Sequence, residues 1–134
     1  MRILIKEKSY SLFLGILIST SLLGCGYSGP IMSVKELKSA IDDPKQKINV
    51  IDVRPAIQFN GGHVPGALNF PLEEIETSWK TISSIKGEIA IICTCGRRSL
   101  AAIEKLSARG ITAALVEGGM KQWDAEGYPK ERIN

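Results

Sequence analysis

Apolar residues occur along the chain in two kinds of pattern. Four short and mostly apolar runs cover residues 48–53, 67–70, 89–93 and 113–116. Runs of this length, bounded by turn residues, are typical of buried strands. Between them, apolar residues recur every three or four positions, which indicates helices with one buried face. This alternation predicts an α/β fold with a mostly parallel sheet covered by helices on both faces.

Two of the predicted helices have recognisable first turns. Ser33 and Glu36 have the spacing of a capping box at the start of a helix predicted over residues 34–41, because each side chain can accept a hydrogen bond from the other residue's backbone. Pro71 suits the first turn of the helix after the second run, since a first-turn N–H has no helical partner. A further helix is predicted over residues 99–109.

The third apolar run leads into the loop that carries the candidate chemistry. Ligands of parallel α/β sheets bind beyond the carboxyl ends of the strands. After this run come Cys93-Thr94-Cys95-Gly96-Arg97-Arg98, and the helix predicted from Ser99 follows. Unpaired backbone N–H groups and the positive end of the helix dipole meet at such a position, and both stabilise an anion.

Cys93 is the candidate nucleophile of this loop. A cysteine thiol has a pKa of about 8.5 in isolation and of about 3.5 to 7.5 in comparable settings, so we expect Cys93 to be largely thiolate at neutral pH. Arg97 and Arg98 add positive charge and hydrogen-bond donors for an anionic substrate. Gly96 lets the backbone curl round a small anion. The plain alternative is an inert buried thiol, because cysteine is among the most buried residue types.

The N-terminus has a different pattern. Arg2, Lys6 and Lys8 precede an apolar stretch over residues 12–23, which leads into Leu22-Leu23-Gly24-Cys25. The stretch is too short to cross a bilayer, which takes about 20 residues, but it suits the apolar region of a signal peptide. Its last four residues resemble the bacterial lipobox, in which the cysteine is lipidated and becomes the new N-terminus.

These features predict the organisation of the chain. We expect a signal peptide over residues 1–24, a lipid on Cys25, a short flexible tether over residues 25–32 and one domain over residues 33–132. The alternative is an uncleaved N-terminal anchor. Both alternatives predict a domain tethered to a membrane outside the cytoplasm. With a lipid on Cys25, the protein would be a periplasmic or outer-surface bacterial lipoprotein.

Composition excludes a disordered chain and argues against a nucleic-acid partner. Hydrophobic residues make up 44% of the sequence, which excludes an intrinsically disordered chain. The 110 residues that remain without the signal peptide are enough for one compact domain. They contain 14 Lys and Arg against 13 Asp and Glu. Proteins that bind nucleic acid have a clustered basic excess, so this balance predicts no nucleic-acid partner.

Four motifs along the chain have a distinctive order and spacing. The loop from Cys93 has the form Cys-x-x-Gly-x-Arg between a strand and a helix. The other three are Ile51-Asp52-Val53-Arg54, Gly62-His63-Val64-Pro65-Gly66-Ala67 and Glu117-Gly118-Gly119-Met120-Lys121-Gln122-Trp123. Together they resemble the active-site loop, the first strand and two structural elements of the rhodanese-like sulfurtransferases, over essentially all of residues 33–132.

The resemblance implies a single rhodanese domain with a five-stranded parallel sheet flanked by helices. It implies that the Cys93 thiolate takes the outer sulfur from a small anionic donor such as thiosulfate, holds it as a persulfide and passes it to a thiol or cyanide. No metal or cofactor is implied. The implied substrate-binding residues are Thr94, Cys95, Gly96, Arg97 and Arg98, and the implied structural residues are Asp52, Arg54 and His63.

Three other functions fit parts of the pattern. A phosphatase of the related fold has five residues between its cysteine and arginine, whereas four separate Cys93 from Arg98, a spacing suited to sulfur and cramped for phosphate. A thiol-disulfide redox module could use Cys93 and Cys95, although a bridge across one residue would be strained and easily reduced. A non-enzymatic sulfur carrier could have the same fold, because fold alone does not determine function.

Some positions depart from the family's pattern or bear on other sites. Gln58-Phe59 stand where members commonly have an acidic residue, and Cys95 puts a second thiol into the loop.

The sequence predicts no metal site. With the third cysteine assigned to the lipid, Cys93 and Cys95 alone cannot fill a tetrahedral zinc site. Gly118 and Gly119 lack the spacing of a phosphate-binding loop and are predicted to form a turn.

Overall fold

The apolar runs form one parallel sheet in residues 27–134, the part of the chain that the computed structural model describes. The strands are β1 (Ile31–Ser33), β2 (Ile48–Asp52), β3 (Leu68–Asn69), β4 (Glu88–Ile92) and β5 (Ala114–Glu117). The helices are α1 (Val34–Asp42), α2 (Ala56–Gly61), α3 (Ile75–Ser83), α4 (Arg97–Ser107) and α5 (Gly119–Ala125), with a 3₁₀ turn at Leu72–Glu74. The strand order is β1-β5-β4-β2-β3 and all neighbours are parallel, which confirms the predicted fold.

Side chains from the two faces of the sheet enter two separate hydrophobic clusters. The neighbouring residues Ile91 and Ile92 of β4 belong to different clusters, because successive side chains of a strand point to opposite faces. Ile92 packs with Trp123 of α5, whereas Ile91 packs with Ile82 of α3 and Leu106 of α4. Helices therefore cover both faces, as predicted.

The start of α1 is fixed by the predicted capping box. The Ser33 hydroxyl accepts a hydrogen bond from the Glu36 backbone N–H at 3.2 Å. The Glu36 carboxylate accepts one from the Ser33 backbone N–H at 2.7 Å. Two N–H groups that the helix cannot satisfy thus acquire partners, and α1 buries Val34, Leu37 and Ala40 against the sheet.

Ile31 and Met32, which the sequence placed in the tether, belong to the sheet. They form β1 with Ser33 and lie in register with Leu115 and Val116 of β5. The pairing joins residues more than 80 positions apart, so no local sequence pattern predicts it. As a consequence, the motif expected to form the first strand forms β2, the second strand of the chain.

Other boundaries also differ from the prediction. α4 begins at Arg97, two residues before the predicted start, and Gly96 precedes it with a φ of 103°. This left-handed conformation is open to glycine and lets the chain enter the helix directly from the loop. The sequence did not predict α2, in which Phe59 is the buried residue, or α5.

The predicted signal peptide over residues 1–24 and the predicted lipidation site Cys25 lie outside the described residues. Among residues 27–134, the structure contains no helix with the length and apolar character needed to span a membrane.

A buried ion pair follows the carboxyl end of β2. Asp52 is fully buried, and its carboxylate accepts hydrogen bonds from Arg54 Nε at 3.0 Å and from Arg54 Nη2 at 2.6 Å. Arg54 Nη2 also donates to the Gly62 carbonyl at 2.9 Å. Because buried charges are tolerated only when they are paired and hydrogen-bonded, this pair ties the end of β2 to the segment that contains His63.

Replacing Asp52 with asparagine tests the buried pair, because it removes the counter-charge of Arg54 and keeps the side-chain shape. We expect Asp52→Asn to lower the free energy of unfolding by about 3–5 kcal/mol, measured by urea denaturation. Asp42→Asn is the matched control, since Asp42 pairs with Lys38 on the surface of α1 and exposed pairs contribute only about 0–1 kcal/mol. Equal losses in the two variants would contradict this account.

Candidate active site

The loop between β4 and α4 surrounds the sulfur of Cys93. Cys93 follows the last residue of β4 and is 1% exposed, with its side chain in the cluster beneath α3 and α4. Thr94 and Cys95 are exposed, and Gly96 leads into the first turn of α4. Both cysteines are free thiols. The buried strand end and the helix N-terminus therefore meet at Cys93, as the sequence predicted.

Backbone N–H groups point at this sulfur. The Gly96 N–H donates to Cys93 Sγ at 3.0 Å. Burial raises the pKa of Cys93, whereas the nearby Ser99 hydroxyl and the backbone N–H groups of Ser99, Gly96 and Cys95 lower it. The donors outweigh the burial, so that the pKa of Cys93 lies below its ordinary value. The loop thus stabilises the thiolate more than the surroundings of an ordinary cysteine do.

The first turn of α5 holds the loop from the other side. The Met120 N–H donates to the Cys93 carbonyl at 2.8 Å, and the Lys121 N–H donates to the Thr94 carbonyl at 3.1 Å. In a planar trans peptide the carbonyl and the following N–H point in opposite directions. Holding the Thr94 carbonyl against α5 therefore turns the Cys95 N–H towards the sulfur.

Gly119 makes this close approach possible. A Cβ atom at Gly119 would lie 2.4 Å from the Cys93 carbonyl oxygen and 2.6 Å from the Thr94 carbonyl oxygen. Its φ of 55° is also in the left-handed region that favours glycine. The sequence predicts only a turn at Gly118 and Gly119. In the structure α5 contacts the loop at Gly119, and this contact is tertiary.

Ser99 is a site residue that the sequence analysis missed. The sequence predicts Ser99 only as the start of a helix, but the residue is fully buried in the first turn of α4. Its hydroxyl is close enough to Cys93 to lower the pKa of the thiol, yet no group lies in full hydrogen-bond geometry with it among the described residues. The hydroxyl is therefore available to donate to a sulfur that carries negative charge.

Arg97 and Arg98 supply the positive charge of the site. They are the first two residues of α4, with Arg97 exposed and Arg98 half-buried. Of the ion pairs formed within residues 27–134, none involves Arg97 or Arg98. Cations are disfavoured at a helix N-terminus, so their position at the start of α4 is suited to an anionic ligand.

A family profile described as "Rhodanese-like domain" matches residues 33–126 of the chain. The chain belongs to this family. The putative sulfurtransferase YtwF of Bacillus subtilis is 31% identical over 103 residues, which are 74% of this chain and 99% of YtwF. The thiosulfate sulfurtransferase PspE of Escherichia coli is 39% identical over 72 residues, 53% of this chain and 69% of PspE.

The putative sulfur carrier protein YrkF of Bacillus subtilis is 32% identical over 95 residues, 70% of this chain, and the match spans half the length of YrkF. Among solved structures, the rhodanese-related protein of Thermoplasma volcanium is similar with a TM-score of 0.68 and 33% identity, covering 76% of this chain and 97% of that one. A rhodanese-like domain protein of Staphylococcus aureus has a TM-score of 0.65 at 30% identity, covering 78% and 99%.

His63 lies in the framework of this rhodanese-like domain. It is buried, its Nδ1 lies 2.8 Å from the Phe59 carbonyl oxygen and its ring stacks on Phe59 at 3.7 Å. Its backbone exchanges two hydrogen bonds with Glu131. These contacts hold both the ring and the backbone of His63 in place. Within the described residues, His, Cys, Asp and Glu side chains form no group of three or more that could hold a metal ion.

Replacing Ser99 with alanine tests the role of its hydroxyl. We expect Ser99→Ala to raise the pKa of Cys93, so that the pH profile of Cys93 alkylation moves to higher pH. The rate at neutral pH should fall about twofold to tenfold, as for the loss of one hydrogen bond. The measurement is the rate of iodoacetamide labelling of Cys93 by mass spectrometry, in proteins that all carry Cys95→Ser, so that the exposed Cys95 thiol does not add to the signal. Ser107→Ala, at the exposed end of α4, is the control, and the same profile in all three proteins would rule out this role.

Replacing Gly119 with alanine tests the contact between α5 and the loop. The added methyl group must push away the Cys93 and Thr94 carbonyls, so we expect a raised pKa of Cys93 and slower alkylation at neutral pH. Gly127→Ala is the control, because Gly127 has a similar φ of 68° but open space around it. Both variants should lose about 1–3 kcal/mol of stability from backbone strain. A Cys93 profile that changes equally in both would contradict the assigned contact.

Proposed function

We propose that the protein is an enzyme that transfers a sulfane sulfur atom through a persulfide on Cys93. The observation that carries the proposal is the buried Cys93 sulfur, with its lowered pKa, at the centre of converging N–H groups. The same donors that stabilise a thiolate also stabilise a persulfide anion, because both place negative charge on sulfur. The similarity to proteins named sulfurtransferases, YtwF and PspE, supports the same reaction class.

The reaction proceeds in two displacement steps. The Cys93 thiolate attacks the outer sulfur of thiosulfate, the S–S bond of the donor breaks, and sulfite leaves with the bonding electron pair. The enzyme then holds a Cys93 persulfide anion. A nucleophile such as cyanide attacks the terminal sulfur and leaves as thiocyanate, which regenerates the thiolate. Splitting the transfer in this way replaces one difficult step with two easier ones, and no proton transfer is required.

Arg97 and Arg98 bind the anionic part of the donor in this proposal. The sulfonate end of thiosulfate carries oxygens that match guanidinium donors. The same charges stabilise sulfite as it departs. Because the sulfur of Cys93 is buried, the donor must be small enough to reach it past the exposed residues Thr94, Cys95 and Arg97.

A sulfur carrier is the second candidate, favoured by the similarity to the putative sulfur carrier protein YrkF. A carrier forms the same persulfide but delivers it to a partner protein instead of turning over with a small acceptor. A redox role is a third candidate, since Cys95 is an exposed free thiol separated from Cys93 by one residue.

We also propose that the protein is a membrane-anchored lipoprotein outside the cytoplasm. The support is the sequence from Arg2 to Cys25, with its basic start, apolar stretch and lipobox-like end. A lipid on Cys25 would hold the domain at the membrane surface.

Intact-mass analysis after incubation with thiosulfate tests the persulfide. We expect the wild type and Cys95→Ser to gain one sulfur atom with release of one sulfite, and Cys93→Ser to gain none. Added cyanide should then remove the sulfur and yield thiocyanate repeatedly if the protein is an enzyme. A single loading without turnover would favour the carrier.

Two results would contradict the proposal. A wild type that gains no sulfur from thiosulfate or another sulfane donor would exclude Cys93 as an acceptor. A Cys93–Cys95 disulfide in the wild type, together with thiol-disulfide exchange activity that Cys95→Ser abolishes, would favour the redox role. Reduced, folded protein, verified by its unfolding curve, is the required starting state for all three variants.

A further inference from the structure

The two thiols in the loop after β4 differ in their exposure to solvent. Cys93 is 1% exposed, whereas Cys95 is an exposed residue, and both are free. Under the proposed function, small species such as thiosulfate and cyanide react at the Cys93 sulfur. A thiol carried by a large molecule cannot approach a sulfur that is almost completely buried. Cys95 is the thiol of this loop that such an acceptor can contact.

The backbone between the two cysteines is held in one path. The Met120 N–H donates to the Cys93 carbonyl at 2.8 Å, and the Lys121 N–H donates to the Thr94 carbonyl at 3.1 Å. Burial raises the pKa of Cys93, and the Cys95 backbone N–H is among the donors that lower it. This N–H therefore lies within hydrogen-bond reach of the Cys93 sulfur, so the Cys95 side chain begins beside that sulfur.

Rotation of the exposed Cys95 side chain can bring its thiol close to a persulfide on Cys93. Two of the three staggered χ1 rotamers of a cysteine place its sulfur gauche to its own backbone nitrogen. The persulfide carries its outer sulfur about 2.05 Å beyond Cys93 Sγ, so in-line attack on that atom needs the two cysteine sulfurs to be only about 4 Å apart. A direct disulfide would require half this separation, and transfer of the outer sulfur therefore avoids most of the strain of a bridge across one residue.

We propose that Cys95 takes the outer sulfur from the Cys93 persulfide and exposes it to acceptor thiols on molecules too large to reach Cys93. We call this transfer the sulfur relay. It rests on the proposed function and adds a second persulfide site to it.

The relay is a thiol exchange without net oxidation or reduction. The proton of the Cys95 thiol passes to the outer sulfur of the Cys93 persulfide anion. The Cys95 thiolate then attacks this sulfur, the persulfide S–S bond breaks, and Cys93 leaves as a thiolate with the bonding electron pair. A thiol of low pKa leaves faster in such an exchange, which suits the lowered pKa of Cys93.

The position of the added sulfur over time tests the relay. Protein loaded with thiosulfate is quenched at successive times in denaturant with excess iodoacetamide, and fragment-ion mass spectrometry assigns the sulfur to Cys93 or Cys95. In the wild type we expect sulfur first on Cys93 and then on Cys95. In Cys93→Ser we expect none on Cys95, because sulfur enters only through Cys93.

A thiol at a distant exposed position provides the matched control. Cys95→Ser/Ser107→Cys keeps the number of thiols and moves one of them to the exposed end of α4. Neighbouring groups in one chain have effective concentrations of about 1 mM, so at about 10 μM protein we expect sulfur to reach Cys95 about 100-fold faster than residue 107. The rate of arrival at Cys95 should be independent of protein concentration, whereas the rate at residue 107 should increase with it.

Acceptors of different size test the purpose of the relay. Cyanide and a thiol linked to polyethylene glycol are each used to remove sulfur from loaded protein. Access limits the rate of thiol exchange, so the ratio of the polymer-thiol rate to the cyanide rate should fall about tenfold in Cys95→Ser. Ser107→Ala is the control and should keep the ratio of the wild type.

Four results would overturn the relay. They are sulfur that stays on Cys93 at all times in the wild type, sulfur on Cys95 in Cys93→Ser, arrival at Cys95 that increases with protein concentration, and an equal acceptor ratio in Cys95→Ser and Ser107→Ala. A Cys93–Cys95 disulfide formed with release of hydrogen sulfide would replace the relay with the redox role. Sulfur on Cys93 alone would leave the proposed transfer reaction intact, whereas no sulfur on either cysteine would overturn both proposals.

Discussion

The sulfur of Cys93 lies where almost no water reaches, and the elements around it direct hydrogen-bond donors towards it. A buried anion without donors is strongly unfavourable, and the donors here are mainly backbone N–H groups of the loop and of the first turn of α4. Backbone donors cannot change rotamer, so their direction depends on the path of the chain. That path is held by Gly96 at one end and by the hydrogen bonds from α5 at the other.

The neighbouring strand ends make this arrangement rigid. Val53 N–H donates to the Ile92 carbonyl at 3.0 Å, immediately before Cys93, so the segment after β2 is joined to the strand that leads into the loop. The ion pair of Asp52 and Arg54 extends the connection to Gly62 and His63. The motifs that are scattered along the sequence are thus linked through hydrogen bonds to the loop that contains Cys93.

Sequence reasoning succeeded where the physical cause is local. The capping box of Ser33 and Glu36 and the apolar strands β2 and β4 each depend on a few adjacent residues. It failed where the cause is tertiary. β1 forms only because it pairs with a strand more than 80 residues away. Gly119 is required by the carbonyl oxygens that it faces. Ser99 matters because it is buried beside the Cys93 sulfur, which its place at a helix start does not indicate. The position of Cys93 between a buried strand and a helix N-terminus was predictable because strand, loop and helix follow one another directly in the chain.

The five-residue length of β4 also has an electrostatic consequence. At about 3.3 Å per residue, the strand places the Cys93 loop roughly 16 Å from the segments at the amino ends of the strands. The screening length in physiological salt is about 8 Å, so the potential of surface charges on those segments decays about sevenfold over that distance. The Cys93 sulfur is therefore insulated from surface charge at the other end of the sheet, and its electrostatic environment is determined by the nearby donors of its own loop and of α4.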